Sequence, residues 1–146
     1  MNVIRVKTYE ELSRIAADII EETVKNKPDC VLGLATGSTP VGTYKLLTED
    51  FLQGKVDFSA VSTVNLDEYC GLSGDNEQSY RYFMNKNLFD GININKNRTF
   101  VPCGLCDEPE KECDEYEKLI ESLGGIDLQV LGIGLNGHIG FNEPSD

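Results

Sequence analysis

The chain reads as a single α/β domain over residues 1–146, built on a doubly wound, mostly parallel sheet with helices on both faces, a Rossmann-like arrangement. Three observations lead there. Short apolar runs alternate with amphipathic segments of helical period along the whole chain. The run at 30–35 is continuous and apolar, with one glycine, as expected of a strand buried on both faces. Polar clusters follow three of the runs at once, where an open parallel sheet holds its ligands. A chain of 146 residues fits one domain and can bury roughly two-thirds of its unfolded surface.

Taken in order, residues 3–6 are a candidate first strand. Thr8 then reads as a helix N-cap with Glu11 three positions on, the capping-box spacing. Leu12, Ile15, Ala16, Ile19 and Val24 fall on one helical face, and the stretch 26–29 with Pro28 stops that helix. Residues 30–35 form a buried strand, with Thr39 as N-cap and Pro40 at the first position of a helix over 41–52. Residues 60–66 are the next strand and 79–89 the next helix. A short strand at 99–101 precedes a helix over 109–123, with Cys113, Tyr116, Ile120 and Leu123 inward and Gly124 and Gly125 ending it. Residues 126–133 are the last strand, and a Gly/Asn-rich loop completes the chain.

The net charge is −12, from 25 acidic against 13 basic side chains. That field repels phosphate backbones and anionic lipid, so no nucleic-acid partner and no membrane surface is expected. The N-terminal residues 1–7 lack the apolar core of a secretory signal, and no apolar run is long enough to span a bilayer. With an odd count of five cysteines, these features predict a cytoplasmic protein with reduced thiols.

Three clusters carry the chemistry. In Thr36-Gly37-Ser38-Thr39-Pro40, glycine admits close backbone approach, the hydroxyls donate, and a helix N-terminus follows. A phosphate suits such a loop, and an ordinary well-capped strand-to-helix turn is the alternative. The loop is neither a Walker sequence nor a dinucleotide fingerprint, because the lysine and the glycine spacing are absent. Asp67, with Glu68 beside it, is a strand-end carboxylate able to take a proton from carbon next to a carbonyl or imine. A solvated acidic turn is its alternative. The loop at 134–144 holds His138, the one histidine of the chain. Histidine titrates near neutrality and needs a partner to fix its tautomer, and Asn136 and Glu143 are close enough in sequence to serve. A structural histidine in a turn is the alternative. Cys103 and Cys106 form a lone C-x-x-C; with no second pair, no metal site is assigned.

Together the clusters resemble the glucosamine-6-phosphate deaminase family. Leu-Ala-Thr-Gly-Ser-Thr-Pro at 34–40, Asn-Leu-Asp-Glu-Tyr at 65–69 and Gly-Leu-Asn-Gly-His-Ile-Gly-Phe-Asn-Glu-Pro at 134–144 are its N-terminal signatures, in order. The resemblance implies that Thr36, Gly37, Ser38 and Thr39 hold the phosphate of an amino-sugar phosphate. It implies that His138, supported by Asn136 and Glu143, moves the proton of ring opening, and that Asp67 moves a proton between C2 and C1. The products are then fructose 6-phosphate and ammonia, with no metal or organic cofactor. The 6-phosphogluconolactonases share the Gly-Ser-Thr-Pro loop and the Gly-His pair, but resemble this chain less at Tyr69 and at 141–144.

Two departures bear on these expectations. Some members carry Asp where this chain has Asn136; an amide orients imidazole without charge, as in the less regulated members. The family also continues beyond the point where this sequence stops, with further sheet and helices, basic phosphate-binding side chains and a lid. The chain is therefore expected to be incomplete relative to the family and to expose apolar surface. A catalytically silent sugar-phosphate-binding fragment stands as a further alternative, and a homo-oligomer is left open.

Overall fold

The computed structural model describes residues 2–144. Its elements run α1 (Tyr9–Asn26), β1 (Val31–Leu34), α2 (Val41–Leu52), β2 (Ser62–Asn65), α3 (Tyr80–Asn87), β3 (Thr99–Phe100), α4 (Pro109–Ser122) and β4 (Leu128–Gln129). The four strands are parallel in the order β3-β2-β1-β4. The chain moves outward from β1 through β2 to β3, then returns to the other side of β1. That reversal makes the gap beyond the carboxyl ends of β1 and β4 the topological switch point.

Right-handed crossovers fix the layers. The helices from β1 to β3 fall on one face, and the returning α4 falls on the other. α1 packs on α2 and α2 on α3. Beneath them Leu32, Leu34, Tyr44, Leu47, Val61, Met84 and Phe89 are almost wholly buried. Each such large side chain contributes about 1.5–3 kcal/mol through burial. The opposite face is thinner: no α4 residue is fully buried. Tyr116 anchors α4 by donating to the carbonyls of Asn65 and Phe100 and accepting from the amide of Asn65, at 2.9, 3.0 and 3.1 Å.

Several local expectations hold. The Thr8 hydroxyl accepts from the amide of Glu11 as expected; Ser79, read from the sequence as the first residue of its helix, instead caps α3 in the same way. Gly124 and Gly125 leave α4 at φ of +91° and +87°.

Others are corrected. Residues 3–6 form no strand; Val3 and Ile4 are exposed, and an extended run without a lateral partner makes no ladder. The buried face of α1 is Ser13, Ala17, Ile20, Glu21 and Val24, with Leu12 and Ile19 on the exposed side. Gly42 of α2 faces this side of α1: a Cβ there would come 2.4 Å from the Ser13 hydroxyl and 2.8 Å from the Tyr9 ring, so the missing side chain lets the two helices approach closely along it. Cys113 is exposed rather than inward, because Tyr116 sets the orientation of α4. β4 is two residues long, not eight, since hydrogen bonding to β1 lapses after Val130 donates to Gly33. Pro40, not Thr39, occupies the cap position of α2. Leu131, Ile133 and Leu135 beyond β4 are exposed, which supplies the apolar surface expected. Among the described residues no helix is long and apolar enough to cross a membrane.

Candidate active site

All three sequence clusters meet at the switch point. A pocket of about 460 Å³ is lined by Thr36, Gly37, Ser38 and Thr39 from the loop after β1 and by Leu66 and Asp67 from the loop after β2. Its remaining wall comes from Tyr80 at the start of α3 and from the segment after β4, including Gly134, His138 and Gly140.

The first loop is held from behind by two tyrosines. Tyr44 donates to the carbonyl of Ala35 at 2.5 Å. The Tyr9 hydroxyl lies 3.0 and 2.9 Å from the carbonyls of Ser38 and Thr39 and accepts from the amide of Gly42 at 2.8 Å. Tyr9 thus performs the capping that the sequence assigned to Thr39. Nothing local in the sequence signals it, because Tyr9 belongs to α1. Among the described residues the pocket lining contains no lysine or arginine, so hydroxyls, amides and the α2 terminus are what this loop offers an anion.

The Asp67-Glu68 pair is divided in use. Glu68 turns away and accepts from the amides of Tyr69 and Tyr80 at 2.9 and 2.8 Å and from Arg81 at 2.9 Å, closing the N-terminus of α3. Asp67 faces the pocket, where burial, with the Glu68 charge adding to it, raises its pKa above the usual carboxylate value. The side-chain amide of Asn65, donating to the carbonyl of Leu34 at 2.9 Å, ties the Asp67 loop to the end of β1.

The third cluster forms a chain of side chains. Glu143 accepts from the Asn136 amide at 2.7 Å, and the Asn136 oxygen lies 2.6 Å from Nδ1 of His138. The Glu143 carboxylate also lies 3.9 Å from the same ring nitrogen. Gly134 makes room for the ring, since a Cβ there would lie 2.2 Å from the imidazole. Gly140 backs onto Asp67, whose Oδ2 would be 3.2 Å from a Cβ at that position. Asn136 and Glu143 stand behind His138 rather than in the pocket lining. Cys103 and Cys106 lie outside it.

A strand-end acid, a backed histidine and a hydroxyl-bearing loop in one pocket make a distinctive set, and the match to known families agrees. The family of glucosamine-6-phosphate isomerases/6-phosphogluconolactonase matches residues 5–140. The chain belongs to that family. Within it, glucosamine-6-phosphate deaminases of Clostridium perfringens and Clostridium tetani are 60% and 61% identical to the whole chain. A solved structure of a monomeric glucosamine-6-phosphate deaminase superposes with a TM-score of 0.95 at 53% identity, over 99% of this chain and 60% of that one. A 6-phosphogluconolactonase from Thermotoga maritima superposes at 0.77 with 23% identity, covering 96% of this chain and 62% of that one, a likeness of fold alone. This isomerase/lactonase-family chain spans about 60% of the length of the curated relatives it matches.

Proposed function

We propose that this chain carries the reacting groups of a glucosamine-6-phosphate deaminase, which converts glucosamine 6-phosphate and water to fructose 6-phosphate and ammonia in amino-sugar catabolism. The observation that carries the reading is that Asp67 and His138 line one pocket with the loop Thr36 to Thr39. Identity of about 60% to curated deaminases supports it over the lactonase reading.

The geometry suggests the sequence of steps. The substrate phosphate lies on the amides and hydroxyls of Thr36, Gly37, Ser38 and Thr39. His138 takes the proton of the anomeric hydroxyl and returns it to the ring oxygen, opening the pyranose to the aldehyde. Asn136 and Glu143 hold the imidazole in place for that transfer. Asp67 then removes the proton from C2 while the aldehyde oxygen takes a proton from the substrate's own ammonium group, giving an enolamine, and Asp67 delivers its proton to C1. The resulting iminium at C2 takes up water and expels ammonia, leaving the ketone. A carboxylate kept above its usual pKa is a stronger base for the C2 step.

The test is ammonia and fructose 6-phosphate formation from glucosamine 6-phosphate by the protein, with Asp67→Asn as comparison. Loss of turnover by about 10²-fold or more in the variant is expected. Hydrolysis of 6-phosphogluconolactone without ammonia from the amino sugar would favour the lactonase. Absence of either activity in this polypeptide would favour a sugar-phosphate-binding fragment.

A further inference from the structure

One pocket wall remains without a role. Tyr80 is the first residue of α3, and its amide is held by Glu68. Its ring packs against two others: the Tyr69 centroid is 4.9 Å away and the Phe141 centroid 5.7 Å, at an interplanar angle of 23° for Phe141. Tyr69 and Phe141 are themselves 5.3 Å apart. The three rings form one cluster that joins the second motif, α3 and the histidine loop, and this packing holds the Tyr80 ring in place. Its hydroxyl donates to the Tyr69 hydroxyl at 3.3 Å, a long contact, and lies beside the Thr36 side chain. Burial raises the pKa of the phenol, so it stays protonated at neutral pH as a donor. Tyr69 and Phe141 lie outside the pocket lining, whereas Tyr80 forms part of it together with Thr36 and Asp67.

We propose that Tyr80 is a further substrate-binding residue, whose hydroxyl contacts a hydroxyl of the sugar chain between the phosphate loop and Asp67. The weak bond to Tyr69 is exchanged for a bond to the bound polyol. The ring, fixed by Phe141 and Tyr69, presents the hydroxyl without rotamer search. The contact discriminates a sugar phosphate from phosphate alone, since the anion loop offers both the same amides. This proposal rests on the sugar-phosphate reading above and not on turnover.

Titration calorimetry on the full chain with two unreactive ligands tests it. Glucitol 6-phosphate reports phosphate and polyol contacts together; inorganic phosphate reports the loop alone. Tyr80→Phe keeps the ring and its packing. It should bind glucitol 6-phosphate about three- to tenfold more weakly, the worth of one neutral hydrogen bond, with phosphate affinity unchanged. Tyr69→Phe removes the same tyrosine pair while leaving the pocket hydroxyl, and should change neither affinity by more than about twofold. Equal affinities in wild type and Tyr80→Phe would overturn the proposal. So would parallel loss for both ligands, an equal effect of Tyr69→Phe, or a wild type that does not prefer glucitol 6-phosphate to phosphate. Ammonia release is a separate assay, so failure of the deaminase reading is distinguishable from failure here.

Discussion

The oxygen of the Asn136 side chain lies 2.6 Å from Nδ1 of His138. Its orientation is set on the other side, because the ionised Glu143 carboxylate can only accept and so takes the amide NH2 at 2.7 Å. The oxygen is therefore the atom facing the ring, and Nδ1 must carry the proton. Nε2 is then the ring nitrogen left for the proton transfer proposed above.

This network predicts a tautomer. Nitrogen chemical shifts of the imidazole should report Nδ1–H in the wild type. Asn136→Leu, which removes the acceptor, should populate the Nε2–H form and lower ring-opening turnover by roughly 10²-fold. An unchanged tautomer in the variant would show that Asn136 does not set it.

The closeness of Gly134 to the ring gives a second prediction. Adding one methyl places carbon 2.2 Å from the imidazole, so Gly134→Ala must move His138 or its own backbone. The amide of Gly134 donates to the carbonyl of His138 at 2.9 Å, which ties the two positions together. The variant should keep its melting temperature within a few degrees, because the loop is exposed, yet lose the Nδ1–H signature. Retention of the wild-type imidazole spectrum would contradict the packing argument.

Asp67 gives a pH-dependent one. Its folded pKa lies above the unfolded value through burial and the neighbouring Glu68 charge. The folded state therefore binds the proton more readily. The group's contribution to stability is fully present below its unfolded pKa of about 3.9 and is lost as pH rises through the folded value. Asp67→Asn should raise the melting temperature at pH 7, and the gain should vanish towards pH 3. A lower melting temperature at pH 7 would count against it.

Asp50 is the opposite case. Lys55 holds its carboxyl well below the usual range, and Arg14, at 2.5 Å, does so too. Arg14 also reaches Glu21 at 2.8 Å, so one guanidinium links α1 to α2, the helix that follows the Thr36 loop. A depressed folded pKa contributes stability present above about pH 4 and lost as pH falls through the folded value. Asp50→Asn should cost about 2 kcal/mol at pH 7 by denaturant titration. The difference from wild type should shrink below pH 4; a constant gap down to pH 2 would rule out the ion pair as its source.

The order of elements from α1 onward, the capping by Thr8, the exit of α4 at Gly124 and the positions of Asp67, His138 and the Thr36 loop were legible in the amino-acid sequence. Each depends on interactions within a few residues: a side chain reaching its own helix terminus, a glycine at positive φ, polar residues directly after an apolar run. Tertiary structure decided the rest. It chose Ser13 and Ala17 over Leu12 and Ile19 as the inner face of α1, the side on which Ser13 and Tyr9 close on Gly42 of α2. It turned Glu68 into a helix cap and left Asp67 to the pocket, a division that two adjacent acids cannot express locally. It brought Tyr9 to the Thr36 loop from 29 positions away, and Tyr80 to the pocket wall against Phe141. Which far segment lies alongside a residue is set by the packing of the whole chain, and no local pattern encodes it.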